Sequence, residues 1–352
     1  MVLLNMYGKI SPTTISNKLG ISVCNPDDGW TKGFLDDFEE EIMLFNHQTE
    51  AFRRDGLDVS SLAGRLDLER IVNQFGWAEN GKSAPQVLAE HLIEIQISDY
   101  ENSMLQVKNQ YMYSPTCEPQ YERKFLNFCS RVQSAETASK IIPGQIPFST
   151  YNSDDFNVKP SILNYLASSL CMDDKTGVSH RDYTDKGITS LRHIGRLIDS
   201  LLSSEKEFWL LDYVVNAIFY ESNSNAYNIF KTMSLIEMLI IDPINDGKTK
   251  GEMEKKLPQF LPGSIPTEKA QLFASIVRKL RNKIAHGDFE AIQKLLAQYR
   301  EAFMEDCWLD EYEYSIETWV YDHICITLDK ALNEILWLML SDRNKLIKLQ
   351  KS

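Results

Sequence analysis

The residues best suited to chemistry lie in a short basic run in the last third of the chain. Four of the six residues from Arg278 to Lys283 are basic, although the whole chain carries a formal net charge of -13. Arg281 is followed directly by Asn282 and, five positions on, by His286. Histidine can move protons near neutral pH, and the planar fork of arginine can hold a phosphate group. Together these residue types predict phosphodiester chemistry.

RNA supplies a phosphodiester that such residues can cleave without a metal ion or another cofactor. A base removes the proton of the 2′-hydroxyl, the adjacent phosphate gains charge, and an acid protonates the leaving 5′-oxygen. We predict that His286 is the general acid or base, that Arg281 binds and stabilises the phosphate, and that Asn282 orients one of these groups. The neighbouring cations are predicted to bind the substrate: Arg278, Lys279 and Lys283.

Helical geometry puts a condition on this site. Residues five positions apart lie about 140° apart around an ideal helix, so Arg281 and His286 do not share a face. The site then requires a bend before Gly287, or a second copy of the chain at a two-fold axis that supplies a second histidine. In a plainer interpretation, the basic residues complement the C-terminal end of a helix dipole and His-Gly simply ends the helix.

Composition narrows the function classes. The chain has 352 residues, of which 43% are hydrophobic and 25% are charged, as is ordinary for a globular protein. The excess of acidic residues argues against non-specific binding along nucleic acid, but it is compatible with a small basic site. The sequence contains no phosphate-binding loop, dinucleotide fingerprint, HExxH or GxSxG motif. Their absence lowers the expectation of nucleotide hydrolysis, zinc proteolysis and serine hydrolysis.

The expected location follows from the apolar runs and the cysteines. The sequence has no run of about 18 apolar residues and no secretory signal, so we expect no membrane partner and no export. The six cysteines are scattered without zinc-binding spacing. Free thiols in this pattern fit a reducing compartment, and we expect a cytoplasmic protein.

The first 150 residues are predicted to be mostly helical. Two short strands are expected at residues 2–4 and 21–23, before an amphipathic helix over residues 36–52. Ser83, with a proline two residues later, predicts the start of another helix, which apolar residues extend past Val107.

A domain boundary is expected within residues 142–158, which are rich in Pro, Gly, Ser and Asn. Apolar residues at helical spacing dominate the chain beyond it, so the second part is predicted to be all-α. The helices that bear on the site are expected at Asn225–Ile241, Pro266–Gly287 and Phe289–Met304, followed by a long terminal helical region over Tyr314–Leu349.

The sequence around the basic run resembles the signature of HEPN domains, in particular their Apea-like branch. The resemblance is carried by a helix that ends in Leu280–Asn282, three further residues, and then His286–Gly287. An upstream segment, Leu235–Leu239, is similar to the Leu-x-Glu-x-Leu pattern of an earlier helix in that family. The rest of residues 155–345 is similar only as helical architecture.

This resemblance implies a fold and an activity. The fold is an all-helical up-and-down bundle that often forms a homodimer. The activity is that of a metal-independent endoribonuclease, which leaves a 2′,3′-cyclic phosphate and a 5′-hydroxyl. Members commonly act as toxins or in antiphage defence, whereas many others are inactive and serve as binding or dimerisation modules.

The resemblance also implies a set of site residues. Arg281 matches the family's arginine, Asn282 its following polar residue, and His286 its histidine. Glu237 matches the upstream acid as a supporting residue, although a helix-surface or ion-pairing role remains equally open.

We therefore expect an all-α chain in two parts. Residues 1–150 form a mostly helical region to which the sequence assigns no role, and a regulatory partner or a phage trigger would bind there. Residues 151–352 form a HEPN-like helical domain. The leading hypothesis is RNA cleavage by a homodimer. The alternative is a non-catalytic helical module for interaction, dimerisation or nucleotide binding, in which the His286 ring is buried against apolar neighbours.

Overall fold

The computed structural model of the chain describes residues 2–4, 10–56, 67–74, 76–97, 121–138, 180–218, 224–242, 249–304 and 316–352. Helices dominate, which confirms the predicted class, and a small sheet accompanies them. The chain forms two compact units, Met1–Arg123 with Pro143–Asp199, and Lys124–Ile142 with Ser200–Ser352. The boundary expected within residues 142–158 lies outside the described residues.

The first unit contains a four-stranded antiparallel sheet. Its strands are β1 (Val2–Leu4), β2 (Thr13–Ser16), β3 (Ile21–Cys24) and β4 (Leu92–Ile97), and they lie in the order β1-β4-β3-β2. The two short strands expected from the sequence are confirmed. In β3 the alternate residues Ile21 and Val23 are buried, as a half-buried strand requires.

Three helices accompany these strands: α1 (Asp28–Arg54), α2 (Leu68–Gln74) and α3 (Ala84–Glu90). Helix α1 is the expected amphipathic helix, with Phe38 and Ile42 buried, but it begins before the expected position 36. Helix α3 starts where Ser83 predicted, because the backbone N–H of Ser83 donates to Gln86 Oε1 over 2.9 Å in a capping box.

The prediction that the helix after Ser83 continues past Val107 is wrong beyond Glu90. Strand β4 follows α3 almost at once, and Ile95 of β4 pairs with Val23 of β3. Ile93 and Ile95 are buried, Glu94 between them is partly exposed and Gln96 after them is exposed, so these residues follow the two-residue period of a strand. Residues 98–107 lie outside the described residues.

A hydrogen-bonded carboxylate holds the β2–β3 hairpin. Helices α4 (Tyr121–Ala138) and α5 (His180–Leu201) come next in the chain, and α5 belongs to the first unit as far as Asp199. Asp199 accepts hydrogen bonds from Ser16 Oγ at 2.6 Å and from the backbone N–H groups of Asn17 and Lys18 at 2.9 and 3.1 Å. One carboxylate thus satisfies three donors at the start of the hairpin turn.

The remaining helices belong to the second unit. They are α6 (Glu205–Ile218), α7 (Ala226–Ile240), α8 (Thr249–Lys256), α9 (Ala270–His286), α10 (Phe289–Phe303), α11 (Ile316–Ser341) and α12 (Arg343–Lys351). The expected helices at 225–241 and 289–304 are confirmed to within a residue or two. The expected terminal helical region breaks at Asp342, whose side chain accepts from the N–H of Lys345 and caps α12.

Helix α7 lies at the centre of this unit and contacts both α9 and α11. The buried faces of these three helices carry aliphatic residues that include Ile229, Ile236, Val277, Leu280 and Ile324. None of the described helices combines the length and the apolar character needed to cross a membrane.

Gly195 provides a test of the hairpin packing. A Cβ atom at Gly195 would lie 1.7 Å from the backbone oxygen of Ile15 in β2, which cannot move without disturbing the hairpin. We expect Gly195→Ala to lower the free energy of unfolding by about 1–3 kcal/mol or more, because the atom overpacks a backbone contact. Urea unfolding followed by circular dichroism measures the change.

Gly33 in α1 serves as the matched control, because no atom lies within 4 Å of a Cβ built there. Gly33→Ala should stabilise the chain by about 0.5–1 kcal/mol, since alanine favours a helix interior. Equal stability changes for the two variants would show that Gly195 is not packed against the hairpin.

Candidate active site

Helix α9 carries all three residues predicted to be catalytic. Its buried face includes Phe273, Ile276, Val277 and Leu280, each with no exposed surface, and these residues fix the rotation of the helix about its axis. The polar residues between them are thereby assigned to defined directions. The site therefore depends on an apolar stripe that the sequence already displays.

The end of α9 is a Schellman turn. Gly287 has a φ of 67°, its N–H donates to the oxygen of Ile284 and the N–H of Asp288 donates to the oxygen of Lys283, both over 3.1 Å. A glycine is favoured here because side chains strain the left-handed conformation. Asp288 then caps α10 by accepting from the N–H of Ala291 at 3.3 Å. The two helices are joined by a turn whose backbone groups are paired.

Arg281 forms the centre of a polar cluster. Its Nη2 lies 2.6 Å from Glu237 Oε2 on α7, and its Nη1 donates to Asn282 Oδ1 over 2.9 Å. The side chains of Arg281 and Glu237 are 30% and 28% exposed. The structure therefore brings together three of the predicted residues, and the ion-pairing role of Glu237 is the one observed. The Nε of Arg281 is buried and has no hydrogen-bond partner within the described part of the chain.

Regular helical geometry places His286 on a different face of α9 from this cluster. It is the last residue of α9, its side chain is exposed, and the helix is unbroken from Ala270 to His286. Five positions of regular helix separate His286 from Arg281 by about 140°, so no bend brings them together. His286 shares its face instead with the exposed residues Leu272 and Lys279, each seven positions from the next.

The predicted substrate-binding cations are more neutralised than the sequence suggests. Arg278 Nε lies 2.8 Å from Glu254 Oε1 in α8, and Lys283 Nζ lies 2.6 Å from Asp288 Oδ2. Lys279 is exposed and has no acidic partner among the described residues. The basic run therefore presents one unpaired lysine instead of four free cations.

Lys283 also affects the titration of its partner. Its hydrogen bond, followed by the N–H of Ala291, holds the pKa of Asp288 below the ordinary value for an aspartate. Asp288 is consequently ionised at neutral pH, both as the cap of α10 and as the partner of Lys283.

Two features of the surroundings were not predicted from the sequence. A cluster of aromatic rings packs α9 against α10, where Phe273 meets Tyr299 and Phe303 at ring-centroid distances of 5.9 and 5.8 Å. The buried Tyr299 Oη lies 2.7 Å from His323 Nδ1, and burial lowers the pKa of His323. The second feature is Phe289, which follows the Schellman turn and is 77% exposed.

No protein-family model, no curated protein and no solved structure matches this chain. Among the described residues, no three His, Cys, Asp or Glu side chains are grouped as the ligands of a metal ion would be. The candidate site is accordingly defined by α7, α9 and the turn after α9.

The Arg281–Glu237 pair can be measured with a double-mutant cycle. We expect Glu237→Gln to lower the free energy of unfolding by about 1–3 kcal/mol, because it leaves a half-buried guanidinium without its anionic partner. Combination with Arg281→Met should reveal a coupling free energy of about 1 kcal/mol or more. Urea unfolding of the wild type, both single variants and the double variant provides the cycle.

The exposed pair Glu290–Lys294 is the control, since its side chains are 82% and 74% exposed at 2.6 Å separation. Its coupling should be close to zero, as for other exposed pairs. A Glu237–Arg281 coupling no larger than that of the control would contradict a fixed ion pair in the site.

Proposed function

We propose that this chain is a metal-independent endoribonuclease whose site is built on Arg281, Asn282 and His286. The observation that carries the proposal is the arrangement at the end of α9. A guanidinium is fixed by Glu237 and Asn282, while an imidazole remains accessible on the same helix. A positioned cation and a mobile proton acceptor are the two groups that RNA transesterification needs.

In the proposed reaction, His286 removes the proton of a 2′-hydroxyl. The 2′-oxygen attacks the adjacent phosphorus, the bond from phosphorus to the 5′-oxygen breaks, and that oxygen takes a proton from an acid. The products are a 2′,3′-cyclic phosphate and a 5′-hydroxyl. Arg281 stabilises the charge that develops on the phosphate through donors that Glu237 and Asn282 leave unused.

Two copies of the chain are required by this scheme. Helix α9 is unbroken from Ala270 to His286, and on regular helical geometry the Arg281 and His286 of one chain do not face one phosphate. At a two-fold axis, the two His286 side chains would lie next to each other, and one would act as the base and the other as the acid. The proposed assembly is accordingly a homodimer with a shared site.

The resemblance to HEPN domains adds a biological role to the proposal. It suggests a toxin or an antiphage effector that acts on RNA in the cytoplasm, with the N-terminal region binding a regulatory partner or a phage trigger. Lys279, with no acidic partner among the described residues, is the cation best suited to contact the RNA backbone.

A non-catalytic helical module is the second candidate function. The observation that favours it is the ion pair itself, because the link from Arg281 to Glu237 ties α9 to α7 and would explain the arginine on structural grounds. The exposure of His286 counts against it, because that module predicts an imidazole buried among apolar neighbours.

RNA cleavage tests the proposal directly. Purified protein should cleave a labelled RNA pool in the presence of EDTA and leave 2′,3′-cyclic phosphate ends. His286→Ala should reduce the rate by about 10²–10⁴-fold, as expected for loss of a general acid or base. Arg281→Ala should reduce it by about 10²–10³-fold, as expected for loss of electrostatic stabilisation.

His47 provides the control for this experiment, because it is another exposed helical histidine and lies in α1. His47→Ala should cleave at the wild-type rate. Equal rates for the wild type and His286→Ala would refute the catalytic assignment.

Mixing active and inactive chains tests the shared site. When wild-type and His286→Ala chains are unfolded and refolded together, mixed dimers retain only one of the two histidines at the axis. We expect such a mixture to cleave more slowly than the wild-type chains it contains would cleave alone, because a mixed dimer lacks either the base or the acid. A chain that is monomeric by light scattering, yet fully active, would contradict the two-fold site.

A further inference from the structure

Phe289 is an aromatic side chain without cover beside the candidate site. At 77%, it has the largest exposed fraction among the large hydrophobic residues of the described part of the chain. A solvent-exposed phenylalanine lacks the favourable free energy that burial of its ring would contribute. Its position three residues after His286 makes this exposure relevant to the site.

The backbone around Phe289 is firmly held. The Schellman turn at Gly287 fixes the chain before it, and the Asp288 cap fixes the helix that begins with it. The N–H of Phe289 itself donates to the oxygen of Gly287 over 3.1 Å. Three residues span at most about 11 Å of chain, so the Cα atoms of His286 and Phe289 are close together, and the paired backbone between them fixes their separation.

The charges beside Phe289 are balanced. Asp288 is paired with Lys283, and Glu290 is paired with Lys294, each at 2.6 Å. An anionic ligand at this ring therefore meets two lysines as well as two carboxylates. The exposed ring offers a face on which an unpaired base can stack, and the two lysines offer cations to the phosphate beside that base.

We infer that Phe289 is a base-stacking residue, whose ring takes an unpaired nucleobase of RNA next to the phosphate handled by His286. The inference rests on the proposed RNA substrate. Stacking suits this place because every nucleobase offers a π-face to an aromatic side chain. Phe289 would then hold the nucleotide at the cleavage position without taking part in the proton transfers.

An exposed ring could instead be covered by a second copy of the chain. The surroundings favour the nucleobase, because Asp288 and Glu290 flank Phe289 in the chain, each paired with a lysine, and Glu290 and Lys294 are largely exposed. The cores of protein interfaces are depleted of charged residues. A ring flanked by two ion pairs is therefore poorly placed to lie at the centre of a protein contact.

The test measures binding separately from cleavage. A fluorescent 2′-O-methyl oligoribonucleotide lacks the attacking hydroxyl, so anisotropy reports its binding alone. Phe289→Ala should weaken binding by about 5- to 150-fold, the range for loss of one base–aromatic stack. Phe289→Trp should bind at least as tightly as the wild type, and a duplex of the same sequence should not distinguish the three proteins.

Tyr213→Ala is the matched control, since Tyr213 is 57% exposed on α6. It should bind like the wild type, and light scattering should give one molar mass for all variants. Unchanged affinity for Phe289→Ala, or a lower molar mass for that variant, would overturn the stacking role. No binding of the oligonucleotide by the wild type would overturn it as well.

The two proposals fail in different ways. If Phe289→Ala binds normally while the wild type cleaves RNA and His286→Ala does not, stacking fails and the ribonuclease assignment stands. If binding depends on Phe289 but the wild type does not cleave, the stacking role stands and the catalytic assignment fails.

Discussion

The packing of α9 onto its unit is the constraint on which the candidate site depends. Phe273, Val277 and Leu280 are fully buried, and burial of each such side chain contributes about 1.5–3 kcal/mol. The ion pair between Arg281 and Glu237, being partly exposed, contributes less than any one of them. The apolar face thus sets the rotation of the helix, and the polar cluster takes the position that this rotation leaves to it.

The helices were predicted well from the sequence where apolar residues recur at helical spacing over a long segment. Helix α7 begins where Asn225 caps it, and helix α9 ends just before Gly287, as expected. The start of α9 has no capping side chain, and the helix begins at Ala270 instead of the expected Pro266. Strand β4 was missed although Ile93, Ile95 and Ile97 alternate with Glu94 and Gln96, because the helix that starts after Ser83 was extended over this two-residue period. The pairing of β4 with β3 joins residues about seventy positions apart, and that pairing could not be read from the local sequence.

The electrostatics of the candidate site were not predicted from the sequence. Arg281 does contact Asn282 and Glu237, and the contact with Glu237 is the ion pair that the sequence left open. The acids that offset Arg278 and Lys283 were not recognised, because Glu254 lies on a separate short helix and Asp288 follows a turn. A count of cations in the sequence overestimates the positive potential of a basic run, because the fold brings acidic residues from elsewhere in the chain to pair with those cations.

This pairing has a consequence for how a polyanion would reach the site. With most cations of the run offset locally, the field at long range is that of a chain with a net charge of -13. At low ionic strength the Debye length is about 30 Å, and RNA would approach against repulsion. Added salt shortens that range to about 8 Å near physiological strength and eases the encounter. Association would then quicken with salt, the reverse of electrostatic steering, and only contacts made at close quarters would select the substrate.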